Sequence, residues 1–200
     1  MKKIGLLGGT FDPIHLGHIG LAETAICELG LDMLYLMPAR VQPFKLNKKT
    51  ADAKDRVNMA ELAVRNHPEL AVTTYEVFDT RVSYTYDTIS RMKQETSDCQ
   101  IYFIMGTDSL MSIENWYRGQ ELLGMCSFAV GLRSENDRKK AEEKAEYLRD
   151  EYGADVSVLQ GKMLPISSTE IKKNFLEGTR INSFVGDDVE RYINEHGLYI

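Results

Sequence analysis

The chain has 200 residues, 43% of them apolar and 27% charged, the balance of one globular unit of ordinary domain size rather than of a disordered or fibrous chain. Its net charge of -6 argues against a nucleic-acid backbone as partner, because such binding rests on basic patches. No stretch approaches the ~20 apolar residues that a membrane helix needs, and Lys2 and Lys3 precede too short an apolar run for a secretion signal, so a cytoplasmic protein away from the membrane is expected. The three cysteines, Cys27, Cys99 and Cys126, are scattered singly, which suggests neither a disulfide framework nor a cysteine zinc site.

In chain order, apolar and β-branched runs at Lys3 to Leu7, Met33 to Met37, Leu70 to Val77, Gln100 to Met105, Phe128 to Leu132 and Val156 to Leu159 predict strands. Segments of helical period lie between them. Ile19, Ala22, Ile26 and Leu29 make an apolar stripe that Gly30 should end, and Ala141, Ala145, Leu148 and Tyr152 make another that Gly153 should close. The alternation predicts an α/β fold, doubly wound around a mostly parallel sheet covered on both faces, with ligands beyond the carboxyl ends of the strands. Two features depart from it. Pro38 to Asp52 is a polar, lysine-bearing loop of a length usually kept for function, a candidate lid. From Ile166 onward two helical segments are expected with no comparable strand, giving a small helical part at 166–200 of a single 1–200 domain.

The stretch Gly8-Gly9-Thr10-Phe11-Asp12-Pro13-Ile14-His15-Leu16-Gly17-His18 follows the first predicted strand and opens the first helix. Glycines there let backbone N–H groups approach an anion closely, and the following helix turns its unpaired N–H groups and positive dipole end to the same place. His15 and His18, three apart, fall on one helix face where both imidazoles could reach one phosphate chain. Two readings compete with this: a tight turn with histidines that merely cap it, and a zinc site of His15, His18 and Asp12, for which no further ligand at a usual spacing is evident. Neither the GxxxxGK[ST] loop nor the GxGxxG fingerprint is present, which disfavours generic ATPase and dehydrogenase readings. Further on, Ser167 with Glu170 three residues later forms a capping box, so that a second helix begins at Ile166-Ser167-Ser168-Thr169-Glu170-Ile171-Lys172 with its own free N–H groups and hydroxyls.

The first stretch resembles the GGTFDPxHxGH signature of the nucleotidyltransferase superfamily, whose members transfer adenylyl or cytidylyl groups, and the second is similar to that family's ISSTxIR. The resemblance implies that His18 binds the phosphates of ATP and stabilises charge in the transition state, with His15 assisting. Gly8, Gly9, Thr10 and Phe11 would line the phosphates together with Ser167, Ser168 and Thr169. Lys172 stands where the pattern has arginine, keeping the charge without the planar fork. Val41-Gln42-Pro43-Phe44-Lys45 resembles the family's PPHK, with Lys45 matching a lysine that bears on phosphate and Phe44 replacing the histidine.

Ser83-Tyr84-Thr85-Tyr86-Asp87-Thr88, Gly106-Thr107-Asp108-Ser109, Asn115-Trp116-Tyr117 and Gly197-Leu198-Tyr199 extend the resemblance over nearly the full length, to the bacterial nicotinate-mononucleotide adenylyltransferases. These would make deamido-NAD and pyrophosphate from ATP and nicotinate mononucleotide, a step of NAD biosynthesis. The resemblance implies that Trp116 stacks on the pyridine ring, that backbone N–H groups near Thr85 and Tyr117 take the nicotinate carboxylate, that Gly106 and Asp108 hold the ribose side, and that Arg133 lines the ATP side. Magnesium is expected as cofactor, carried by the phosphates and not by protein side chains. A homo-oligomer stays open. Two rival readings are a phosphopantetheine adenylyltransferase, which would not need Trp116 or the SYTxxT segment, and a nucleotide sensor that binds without turnover.

Overall fold

The computed structural model describes residues 1–39, 50–77, 84–96, 98–132, 134–162 and 164–200. Six parallel strands make one sheet: β1 (Lys2–Gly9), β2 (Met33–Pro38), β3 (Leu70–Val72), β4 (Cys99–Gly106), β5 (Ser127–Leu132) and β6 (Val156–Lys162). They lie in the order β3-β2-β1-β4-β5-β6. This is the doubly wound order in which the chain leaves the centre first on one side and then on the other. A crevice therefore opens between β1 and β4, beyond their carboxyl ends.

The central stretches of the strands are largely apolar because both faces are covered. Successive residues point to opposite sides, so Leu6, Phe103 and Phe128 enter one core while Leu7, Ile104 and Ala129 enter the other. The Leu7 side packs against α1 (Leu16–Leu29), α2 (Ala53–Val64), α7 (Ser168–Leu176), α8 (Asn182–Val185) and α9 (Asp187–Glu195). The Leu6 side packs against α3 (Thr85–Glu95), α4 (Thr107–Ser112), α5 (Gly119–Leu123) and α6 (Glu135–Tyr152). Both predicted helical stripes are found. Ile19 and Ala22 are buried on α1, which ends at Gly30 with φ +63, and Ala141, Ala145 and Leu148 are buried on α6, which ends at Gly153 with φ +64. Among the described residues no helix is long and apolar enough to cross a membrane.

Two expectations are corrected. The third strand stops at Val72 instead of Val77. Thr73 still donates to Leu36 O, but its Oγ1 then takes the Tyr75 N–H at 3.4 Å and Val77 N–H turns back to Thr74 O. Local bonds have replaced the ladder on an edge strand that has a neighbour on one side only. Beyond Ile166 there are three helices, not two. The additional one, α8, is opened by a carboxylate from the helix after it: Glu190 accepts from Ile181 N and Asn182 N at 2.5 and 3.0 Å. The long predicted loop falls largely on residues 40–49, outside the described residues.

Gly119 shows how tightly the link from α4 to α5 is drawn. A Cβ there would lie 2.2 Å from the Ile113 carbonyl oxygen, which is backbone and cannot swing aside. Gly119→Ala is expected to destabilise the fold by about 2 kcal/mol and to alter the fluorescence of Trp116, which is part of the same link. Urea unfolding checks this; a midpoint equal to the parent's would mean that the link relaxes freely.

Candidate active site

The crevice between β1 and β4 is built first from the turn after β1. Phe11 has φ +51, a region that costs a non-glycine residue roughly 1–2 kcal/mol. The conformation is held because its ring is buried, standing edge-on to His18 with centroids 4.9 Å apart. The ring also explains Gly9, since a Cβ there would meet Phe11 at 2.8 Å.

His15 closes this turn as the residue before α1, and His18 sits in the first helical turn. Their rings stack with centroids 3.6 Å apart and planes 19° from parallel. The backbone N–H of His15 donates to His18 Nδ1 at 3.3 Å. With Nδ1 accepting, the hydrogen of the neutral ring is on Nε2, which is then the ring's donor. His15 is buried and His18 half-buried, so His18 is the more accessible of the two.

The second phosphate motif is brought to the first by tertiary contact. Ser167 caps α7 by accepting Glu170 N–H at 3.2 Å, as its spacing predicts, and Ser168 Oγ donates to Pro13 O at 3.0 Å. The amino ends of α1 and α7 thus converge on one turn, where N–H groups and dipoles favour an anion. Lys172 arrives on the same helix, but its ammonium is engaged: Nζ donates to Asp12 Oδ2 at 2.7 Å.

Sequence reasoning missed what organises this corner. Asp12 is 5% exposed and accepts two more hydrogen bonds on Oδ1, from Ala51 N at 3.0 Å and Tyr199 Oη at 2.9 Å. Arg56, 1% exposed, donates from Nη1 to the carbonyls of Thr10 and Ala39, both at 2.7 Å, and from Nε to Ala51 O at 3.1 Å. Burial pulls its pKa below the ordinary guanidinium value, and the charge of Asp12 opposes that. The signal that could have found Arg56 is a charged residue on the apolar side of α2.

On the other wall, Gly106 ends β4 and precedes α4, and Asp108 is exposed in the first turn of α4. Ser112 Oγ donates toward Asp108 O at 3.2 Å and accepts from Trp116 Nε1 at 3.4 Å. The half-buried indole meets Phe103 edge-on at 6.0 Å, and Phe103 in turn lies beside Gly8 at the end of β1. Tyr117 stacks on Tyr84 with centroids 4.4 Å apart, next to Thr85, where α3 begins. Arg118 lies over the ring of Tyr86 at 3.9 Å, completing this aromatic wall. Phe103 links the two sides, lying beside Gly8 at the end of β1 and against Trp116 on the aromatic wall. Lys45 and Arg133 lie outside the described residues.

Among the described residues no group of three His, Cys, Asp or Glu could hold a metal ion. The Asp12 carboxylate is committed to Lys172, Tyr199 and Ala51.

A parallel doubly wound sheet with a GGTFDPIHLGH turn and a capped ISSTEIK helix at its switch point defines a nucleotide-binding transferase, and comparison with known proteins agrees. Residues 6–174 match the cytidylyltransferase-like family model. The chain is 37% identical over its whole length, and over 98% of the relative, to a probable nicotinate-nucleotide adenylyltransferase of Clostridium botulinum. It is 36% identical to a protein so described from Neisseria meningitidis, covering 100% of this chain and 99% of the relative. The nicotinic acid mononucleotide adenylyltransferase of Plasmodium falciparum in complex with NaAD superposes with a TM-score of 0.78 at 20% identity, over 100% of this chain and 98% of that one. The chain belongs to the cytidylyltransferase-like family and, within it, to the nicotinate-nucleotide adenylyltransferases.

Beneath the start of α3 lies a further titratable group. Glu76 is buried and accepts from Thr88 Oγ1 at 3.0 Å; burial pushes its carboxyl up to about 7, against the hydrogen bond, which acts downward. A carboxyl raised above its unfolded value contributes stability that is fully present below about pH 4.5 and lost as pH rises through about 7. Relative to the parent, Glu76→Gln is expected to gain on the order of 2 kcal/mol of unfolding free energy between pH 5 and pH 8. Urea unfolding at both values checks this, and parallel pH curves for the two proteins would exclude Glu76 as the source.

Proposed function

We infer that this chain joins the adenylyl group of ATP to nicotinate mononucleotide, giving deamido-NAD and pyrophosphate in NAD biosynthesis. The observation that carries the reading is the union of the two phosphate motifs: Ser168 on Pro13 brings the start of α7 against the turn that holds His15 and His18. Full-length likeness to the adenylyltransferases of Clostridium and Neisseria supports nicotinate mononucleotide as acceptor.

In the reaction a phosphate oxygen of the mononucleotide attacks the α-phosphorus of ATP, and the bond from that phosphorus to the bridging oxygen breaks, releasing pyrophosphate. Like unit charges 4 Å apart repel by roughly 4 kcal/mol at an effective dielectric near 20, so the site must offset charge before it can do anything else. The His18 Nε2–H donates to the phosphate chain, and the stacked ring of His15 and the His15 N–H to Nδ1 keep that nitrogen aimed. The first-turn N–H groups of α1 and α7 add fixed partial positive charge, and the Lys172 ammonium, paired on one side with Asp12, turns its remaining donors to the phosphates. Magnesium on the phosphate oxygens would screen the leaving pyrophosphate. No covalent intermediate on the protein is needed; positioning and charge stabilisation are the whole of the catalysis.

The acceptor wall receives the other substrate. The Trp116 indole offers its face to the pyridine ring, and first-turn N–H groups of α3 at Thr85, with backbone near Tyr117, take the nicotinate carboxylate. Asp108 accepts from ribose hydroxyls. Lys45 and Arg133 are proposed for the triphosphate from the motif alone.

Two measurements test this. Pyrophosphate release from ATP and magnesium is expected with nicotinate mononucleotide and not with phosphopantetheine. Release with phosphopantetheine alone would overturn the acceptor assignment, and nucleotide binding without release for any acceptor would indicate a sensor. His18→Ala is expected to keep the parent's circular dichroism while lowering kcat by roughly 100-fold or more, the scale of losing one donor aimed at transition-state charge. Turnover near the parent's would remove His18 from the mechanism.

A further inference from the structure

We infer that Tyr199 is a positioning residue of the triphosphate site, acting through Asp12 to set where the Lys172 ammonium stands. The inference rests on the proposed role of Lys172 at the triphosphate.

The geometry divides the Asp12 carboxylate into two halves. Oδ1 receives two neutral donors, Ala51 N–H at 3.0 Å and Tyr199 O–H at 2.9 Å, while Oδ2 receives the Lys172 ammonium at 2.7 Å. With Oδ1 so held, the carboxylate cannot rotate without breaking both neutral bonds, and Oδ2 presents one fixed acceptor to the lysine. An ammonium has three donors, and Asp12 takes one of them. The ring of Tyr199 lies 5.3 Å from Lys172 Nζ, within the range of a cation–π contact, so one side chain fixes the carboxylate by its hydroxyl and flanks the ammonium with its ring.

The arrangement is specific to a lysine in this place. An arginine would grip a carboxylate bidentately and orient itself; a lysine is a point charge on a flexible stem and takes its direction from its surroundings. Tyr199 is itself held firmly, with φ +68 in the left-handed region and its side chain packed beside the core that contains Ile14 and Ile171. Burial, and next the charge of Asp12, keep its hydroxyl well above the ordinary phenol range, so it remains a donor across the pH range of any assay.

The test is calorimetric titration with a non-hydrolysable methylene analogue of ATP plus magnesium, on the parent, Tyr199→Phe, Lys172→Met and the double variant. Tyr199→Phe is expected to weaken the analogue about fivefold, the scale of one hydrogen bond, with a Tm within about 3 °C of the parent's. In the Lys172→Met background the same change is expected to have no further effect, because the residue through which Tyr199 acts is gone. Three outcomes would overturn the inference: unchanged affinity in Tyr199→Phe, an equal further loss in the Lys172→Met background, or a loss of affinity that accompanies a Tm fall of about 10 °C. The titration contains no acceptor, so its result stands whether or not nicotinate mononucleotide is the second substrate.

Discussion

The structure of the site depends on one buried guanidinium. Arg56 gives hydrogen bonds to the carbonyls of Thr10, Ala39 and Ala51, three points separated in sequence that this one side chain ties together. Taking a charge out of water is costly, and the cost is offset where each N–H finds an oxygen and an opposite charge stands near, as Asp12 does here. Removing the side chain would take a donor from each of three inward carbonyls, so the turn after β1, the end of β2 and the start of α2 are linked through one residue. Asp12 extends that link to α7 and to Tyr199. The corner proposed to receive phosphate is therefore cross-linked by hydrogen bonds of its own, which is what charge stabilisation without reorganisation requires.

The two walls differ in kind. The wall proposed for phosphate is made, among the described residues, of backbone turns, helix ends and the Lys172 ammonium, groups that recognise charge and little else. The acceptor wall is aromatic: Tyr84, Tyr86, Trp116 and Tyr117 are arranged by stacking and edge contacts, with Arg118 over Tyr86. Flat rings would discriminate by shape, and the first turn of α3, in the proposed reading, by charge. Such a division would let one phosphate-handling scaffold serve different acceptors by changing one wall, and in this chain the aromatic wall is carried by segments on the Leu6 side of the sheet.

Much of this was legible in the sequence, for reasons that differ by element. The strands were readable because a sheet covered on both faces leaves continuous apolar runs, and α1 and α6 because an apolar stripe and a terminal glycine mark a helix and its stop. The turn after β1 was readable because closely spaced glycines, an aspartate, a proline and two histidines have few other uses together. The short β3 and the extra helix α8 were not readable: one ends where Thr73 makes a local bond, and the other begins where a distant carboxylate, Glu190, supplies a cap.

What the sequence determined by itself, then, is the alternation of elements, the parallel sheet and the chemical character of each motif, all of which follow from local period and residue type. Only the tertiary structure decided which groups act together. It placed Ser168 on Pro13 across 155 positions, Lys172 on Asp12 across 160 and Tyr199 on Asp12 across 187. Partners so far apart leave no periodic trace, because their meeting is a consequence of sheet order and of how the helices beyond β6 fold back over the first turn. A lysine in a motif reads as a cation for phosphate; only its neighbours reveal that a buried carboxylate and a tyrosine already hold it in place.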